Sequence, residues 1–374
     1  MPTNSRVMRQ SYRVGVIGLG YGRAHIPAFQ ANGCEVVAIC QRNLESAQAV
    51  ADRYRIPHVF ERWEQMLSET RPDIVVVAPP PHLHHRIVTE ALGQGAHVLC
   101  EKPMAMDAAE ATDMMDAARR ANRVAMIGFN WRFPAAMQRF HAMVESGHLG
   151  RLLHVNARWL GSRWADEGIP ATWRMDRAQA GVGALGDMGV HLVDLVRWNF
   201  GEIDWVSAHA GIAYPARIVP EVGKSTDTED FCTVMGELRS GAHVTLTISR
   251  TARGAAEHGV EAYGSTGALS YRLDREGPRW YRGHLAAATD GGFEPVRVPT
   301  GLSRTVGEGD PMEVIGKATI GPLVKRFLAG IRKGESPSPS FEDGVRSQEV
   351  LDAISQSIES ESWVNVAGGP PNAA

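Results

Sequence analysis

Short apolar runs alternating with amphipathic stretches fill the first third of the chain. Residues 13–17 form an apolar run that leads into glycines, 22–32 read as a helix stopped by Gly33, and 35–40 are apolar and β-branched. Asn43 stands where it can cap a helix over 44–54, with Glu45 in the first turn near the positive end of the helix dipole. The continuous Ile/Val run at 73–78 fits a strand buried on both faces. A helical pattern at 82–92, a strand at 97–100, a helix at 108–121 and a strand at 124–129 continue the series. Strands separated by helical stretches predict right-handed βαβ crossovers. The fold class is therefore α/β, with a Rossmann-type doubly wound parallel sheet over residues 10–130.

Beyond residue 130 the period changes. A helix over 135–146 ends at Gly147, and the segments 152–160, 206–212, 231–238, 243–250 and 260–263 then alternate with a period of two. That alternation predicts an open, mainly antiparallel sheet with one face covered. A glycine-rich stretch leading into a helix, 181–200, interrupts it. Residues 335–340 read as a Ser/Pro loop and 345–360 as a terminal helix. The expected division is a second, α+β domain for substrate binding and oligomerisation over 131–367, with tails at 1–9 and 368–374. There is no internal repeat.

A length of 374 residues suits two domains. Lys and Arg number 39 against 42 Asp and Glu, so no strongly basic face is implied and nucleic acid is not an expected partner. Cys34, Cys40, Cys100 and Cys232 follow no metal or redox spacing and read as reduced thiols. The N-terminus lacks the apolar core of a signal peptide, and no window is apolar for long enough to span a bilayer. The expectation is a cytoplasmic protein with no membrane partner.

Gly18-Leu19-Gly20 follows a strand and opens a helix, the setting a dinucleotide turn requires. The first glycine permits the tight turn and the second lets a pyrophosphate approach backbone N–H groups at the positive end of a helix. The third fingerprint position falls on Arg23, and the nearest glycine, Gly22, comes one residue early. At the end of the second strand, Cys40-Gln41-Arg42-Asn43 offers no carboxylate for a ribose 2′-hydroxyl, whereas Arg42 suits a 2′-phosphate. This favours NADP, with NAD as the alternative.

Two further constellations bear chemistry. Lys102 ends a strand, where ligands of an open α/β sheet bind. Asp187, His191 and Asp194 share one face if their stretch is helical. From residue types alone, that face fits a histidine satisfied by a carboxylate, a metal site or a general base.

Taken together, the glycine turn, Ala78-Pro79-Pro80-Pro81-His82-Leu83-His84, Glu101-Lys102-Pro103, Gly128-Phe129-Asn130-Trp131-Arg132, and the run from Gly181 through Asp187-Met188-Gly189-Val190-His191 to Asp194 resemble the glucose–fructose oxidoreductase/inositol dehydrogenase (Gfo/Idh/MocA) family in order. The resemblance spans nearly the whole chain and weakens between residues 275 and 335. Pro79 and Pro81 stand where Thr and Asn are frequent in the family, which removes two side chains able to bond a cofactor.

The resemblance implies an NAD(P)-dependent oxidoreductase moving a hydride between nicotinamide and a secondary alcohol or ketone of a sugar, inositol or related cyclic polyol. It implies His191 as general base, Lys102 as donor to the reacting oxygen and Asp187 as a hydroxyl-positioning carboxylate; Asp194 is read as supporting the helix or orienting His191. Cofactor contacts fall on Gly18, Leu19, Gly20, Tyr21, Gly22, Gln41, Arg42, Pro79, Pro80, His84, Glu101, Lys102 and Asn130. Substrate contacts fall on Lys102, Arg132, Trp173, Arg174, Asp187 and His191, with Arg163, Trp164 and Asp166 in a bordering loop. No metal is expected, His82, His84 and His85 included. A homodimer or homotetramer is implied. The alternatives are a glycosidase using transient oxidation by NAD and a non-catalytic sugar or dinucleotide sensor.

Overall fold

The computed structural model describes residues 11–273, 279–299, 306 and 309–366. Its first layer is a six-stranded parallel sheet of order β3-β2-β1-β4-β5-β6. The strands are β1 (Arg13–Ile17), β2 (Glu35–Cys40), β3 (His58–Phe60), β4 (Ile74–Val77), β5 (His97–Cys100) and β6 (Ala125–Ile127). The helices between them are α1 (His25–Ala31), α2 (Leu44–Tyr54), α3 (Trp63–Thr70), α4 (His84–Gly93) and α5 (Ala108–Ala121). Helices cover both faces, which is why β4 reads as unbroken Ile/Val and is buried throughout. Because β1 lies beside both β2 and β4, the strand order reverses there and opens a crevice at the carboxyl ends of β1 and β4.

Asn43 caps α2 by accepting from Ser46 N–H at 2.9 Å, and Asp107 caps α5 by accepting from Glu110 N–H at 2.8 Å. The sequence pattern did not disclose β3 or α3, since β3 has three residues and α3 has no side-chain cap. The expected helix over 22–32 is split, with a tight turn at Gly22–Ala24 ahead of α1.

The second layer begins with α6 (Ala135–Glu145) and β7 (Leu152–Gly161). Among the described residues, β7 is the middle strand of a nine-stranded mixed sheet. It pairs in parallel with His243–Ser249 and antiparallel with Ala256–Gly264, and the other pairings in the sheet are antiparallel. Alternate residues Val155, Ala157 and Trp159 of β7 face inward, onto helix Val190–Phe200.

The C-terminal helices stitch the two layers together. Leu323, Val324 and Phe327 of helix Gly321–Lys333 share a core with Val14, Val16, Ile26 and Phe29. Helix Phe341–Ser360 packs on α5 at one side and on strand Ile203–Gly211 at the other.

Candidate active site

Gly18 has φ +85°, and a Cβ there would lie 2.5 Å from Ala78 C and Pro79 N, so only glycine fits beside the end of β4. A Cβ at Gly20 would meet no atom within 4 Å, which leaves that part of the backbone approachable by a ligand. At Gly22 a Cβ would sit 3.0 Å from that of Ala78. Gly22 therefore supplies the close helix–strand packing of the third fingerprint glycine, one residue early and outside the cavity wall. Leu19 N–H donates to Gln41 Oε1 at 3.1 Å, and Gln41 Nε2 donates to Ser46 Oγ at 2.7 Å, so Gln41 braces the turn.

A cavity of about 810 Å³ has Gly18, Leu19, Gly20, Tyr21, Gln41, Arg42, Pro79, Pro80 and Glu101 in its wall together with Lys102, Trp173, Arg174, Asp187 and His191. That volume suits a dinucleotide and a small second ligand. The open space at Gly20, in the cavity wall, leaves room for a pyrophosphate, which would lie at the N-terminal end of the first helical turn.

Lys102 follows β5, and its peptide bond to Pro103 is cis. Its Nζ donates to Asp187 O at 2.7 Å and to Asp187 Oδ1 at 3.3 Å. Arg174 Nε lies 3.5 Å from the same carboxylate oxygen, and the Arg174 guanidinium stacks 4.3 Å from the Trp173 ring centroid. Burial opposes ionisation of Asp187, but Lys102, Arg174 and Arg250 outweigh it and hold the carboxyl well below the usual carboxylate range. Asp187 is thus a charged acceptor at neutral pH.

The glycine-rich stretch owes its position to Glu229. Its Oε1 accepts from Gly183 N–H at 2.8 Å and Leu185 N–H at 2.9 Å, and its backbone carbonyl accepts from Ala184 N–H at 2.9 Å. A Cβ at Gly183 would lie 2.1 Å from Glu229 O. A π-helical turn, Leu185–Gly189, then carries Asp187 before the α-helix resumes at Val190. His191, 3% exposed, is ringed by aromatic groups, with centroids at 5.5 Å for Trp159, 6.1 Å for Phe129 and 6.3 Å for Trp131.

Several expectations need correction. Asp194 does not orient His191. It receives Arg132 Nε at 2.8 Å and also Arg132 Nη2, and Arg132 goes on to Asp343 at 3.0 Å and Ser338 at 2.8 Å. Arg132, 1% exposed, is therefore an internal tie between helices and is absent from the cavity wall. Asn130 is equally buried and donates to Tyr21 Oη at 3.2 Å and Thr319 Oγ1 at 2.8 Å, so it does not face the cavity. His84 lies behind the wall. Its Nε2 is 2.9 Å from Pro79 O and its Nδ1 is 3.1 Å from Pro103 O, so the ring sits between the two proline loops, and burial lowers its pKa. Glu101 meets His25 Nε2 at 2.7 Å and accepts from Lys102 N–H at 3.3 Å.

The three clustered histidines diverge, with His82 on Gln179 O and His85 on Asp113. Among the described residues no group of three or more His, Cys, Asp or Glu side chains could hold a metal ion, and no helix is long and apolar enough to cross a membrane. Arg163 and Trp164 line the cavity, their groups 4.6 Å apart. Sequence reasoning missed Trp159, Glu229 and Arg250, which lie on or beside period-two strands and come to the site only through tertiary packing.

Residues 12–129 match the oxidoreductase family with an NAD-binding Rossmann fold, and residues 137–270 match the GFO/IDH/MocA C-terminal domain. Levoglucosan dehydrogenase of Pseudarthrobacter phenanthrenivorans is 30% identical, the alignment covering 96% of this chain and 98% of the relative. Glucose-6-phosphate 3-dehydrogenase of Bacillus subtilis is 26% identical over 91% of this chain and 94% of its own. The solved structure of levoglucosan dehydrogenase in complex with NADH and levoglucosan superposes with a TM-score of 0.86 at 29% identity, covering 96% of this chain and 100% of that one. A dinucleotide turn and a Lys–Asp–His cluster in one cavity, with both halves of the chain matched, place this protein in the Gfo/Idh/MocA family of oxidoreductases.

Proposed function

We propose that this protein is an NAD(P)-dependent dehydrogenase or reductase acting on a secondary hydroxyl of a sugar or cyclic polyol. The observation that carries the reading is the convergence of Lys102, Asp187 and His191 in the cavity that also contains the glycine turn. When bound, the nicotinamide accepts or returns the hydride. His191 takes the hydroxyl proton as the alcohol is oxidised and returns it in the reverse direction. Lys102, fixed on Asp187, donates a hydrogen bond to the reacting oxygen and stabilises its developing negative charge. The ionised Asp187 and the Trp173–Arg174 pair position the neighbouring hydroxyls. The aromatic ring around His191 keeps bulk water from the proton-transfer step.

The cofactor choice rests on Arg42. It lines the cavity just after β2, whose end, Cys40-Gln41-Arg42-Asn43, carries no carboxylate of its own, while Glu61 after β3 lines the same part of the wall. NADP is expected to bind more tightly than NAD, and Arg42→Ala to narrow the gap. Tighter NAD binding by the unmutated protein rejects this preference and leaves the nicotinamide-dependent reading intact. The four cysteines are free and buried, which supports a reducing, cytoplasmic location. The outward face of the large sheet supports a homodimer or homotetramer.

The direct test is a panel of monosaccharides, inositols and anhydrosugars with NAD and NADP, followed by absorbance of the reduced cofactor. Sugar release without net reduction identifies a glycosidase, and no turnover with any member overturns the reading.

A further inference from the structure

The cavity has a wall that no dinucleotide fingerprint supplies. Met312 and Ile315 line it, and they belong to the segment Asp310–Ile320 in the last quarter of the chain. Ile315 shares a hydrophobic cluster with Leu19, Met312 and Tyr21 pack against that cluster, and the segment touches the Gly22–Ala24 turn that follows the glycines.

Three fastenings hold it there. Arg53 of α2 reaches Asp310 Oδ2 and Glu313 Oε1, each at 2.8 Å. Buried Asn130 joins Tyr21 Oη at 3.2 Å to Thr319 Oγ1 at 2.8 Å, and Thr319 is itself fully buried. Gly316 lies so close to the start of α1 that a Cβ would come 2.2 Å from Ala24 O. Two apolar side chains in the cavity wall beside the glycine turn exclude water from a ligand held there, and this strengthens that ligand's charge-assisted bonds.

We infer that Asp310–Ile320 is a strap over the bound dinucleotide, in which Met312 and Ile315 are cofactor-contacting residues. Arg53 and Asn130 are positioning residues, acting on the cofactor through the strap and through Tyr21. The inference rests on the proposed NAD(P)-dependent function, and it predicts slow cofactor release governed by residues far from the catalytic groups.

The test is NADH binding and release by the full-length protein, followed by fluorescence. Met312→Ala is expected to raise the NADH dissociation constant and release rate about 10-fold, by loss of apolar cover. Arg53→Ala is expected to raise both about 3-fold, the order of two exposed ion pairs. Arg53→Lys restores most of that loss. Arg120→Ala, which breaks an exposed pair with Asp113 on α5, leaves both constants unchanged. In steady state the KM for cofactor rises in the strap variants while the KM for sugar does not. Unaltered NADH release in both Met312→Ala and Arg53→Ala, with the unmutated protein binding NADH, overturns the strap alone. Failure of the unmutated protein to bind either nicotinamide cofactor overturns the strap and the proposed function together.

Discussion

Lys102 and Asp187 each fix the other's state. The lysine is committed to the Asp187 carbonyl and carboxylate, and the carboxylate is surrounded by Lys102, Arg174 and Arg250. Because the folded carboxyl titrates below its unfolded value of about 3.9, its contribution to stability is fully present above that pH. The contribution is lost only as pH falls toward the depressed folded value. Between pH 5 and 9 Asp187 therefore stays ionised and contributes no limb to the pH–rate profile. His191→Ala and Lys102→Ala are each expected to lower kcat by about 10²–10⁴-fold while NADH binding survives. Asp187→Asn is expected to raise the KM for sugar and lower kcat/KM. Steady-state kinetics across that range check both, and an unchanged kcat/KM in Asp187→Asn removes the carboxylate from the site.

At the scale of elements, two glycines with opposite surroundings separate folding from binding. Gly183→Ala drives a Cβ to 2.1 Å from the Glu229 carbonyl, a backbone atom that cannot step aside. It is expected to cost about 1–3 kcal/mol or more and to lower both Tm and kcat as the π turn shifts. Gly20→Ala meets nothing within 4 Å, so Tm should hold, while the new methyl enters the space left for the pyrophosphate and weakens NADH binding. Thermal melting and an NADH titration on the two variants read this out, and equal losses of stability remove the distinction.

These elements also show what a linear pattern carries. β1, β2, β4 and β5 were legible because buried parallel strands are continuous apolar runs, and α2 because Asn43 caps it. The strap was not legible, since its two helical pieces of five residues each are too short for a period to emerge. Asp194 was placed with His191 by helical spacing. Its partner is Arg132, 62 residues away in sequence, and no local rule connects them. Asn130 and His84 carried recognisable motif positions, but buried hydrogen bonds set their roles, and these depend on Thr319 and Pro103.

At the scale of the whole molecule, the large sheet has one face packed on helices and one turned outward. Phe231, 40% exposed, and Met235, 52% exposed, lie on that outward face, on the strand flanked by Ile203–Gly211 and His243–Ser249. The Phe231 ring lies against Gly211, where a Cβ would come 2.4 Å from it. Thr233, Thr245 and Thr247 surround these two side chains in register and present short hydroxyls. A mixed patch on the open face of a sheet suits a self-complementary contact, because the same surface can meet its own copy across a two-fold axis. Stable association by this face requires roughly 800 Å² per protomer. Sedimentation of the unmutated protein at micromolar concentration is therefore expected to show a dimer or tetramer. The double variant Phe231→Asp/Met235→Asp should sediment as a smaller species with its far-ultraviolet circular dichroism unchanged, because both side chains point away from the core. A monomer in the unmutated protein, or an undiminished assembly in the variant, moves the interface off this face.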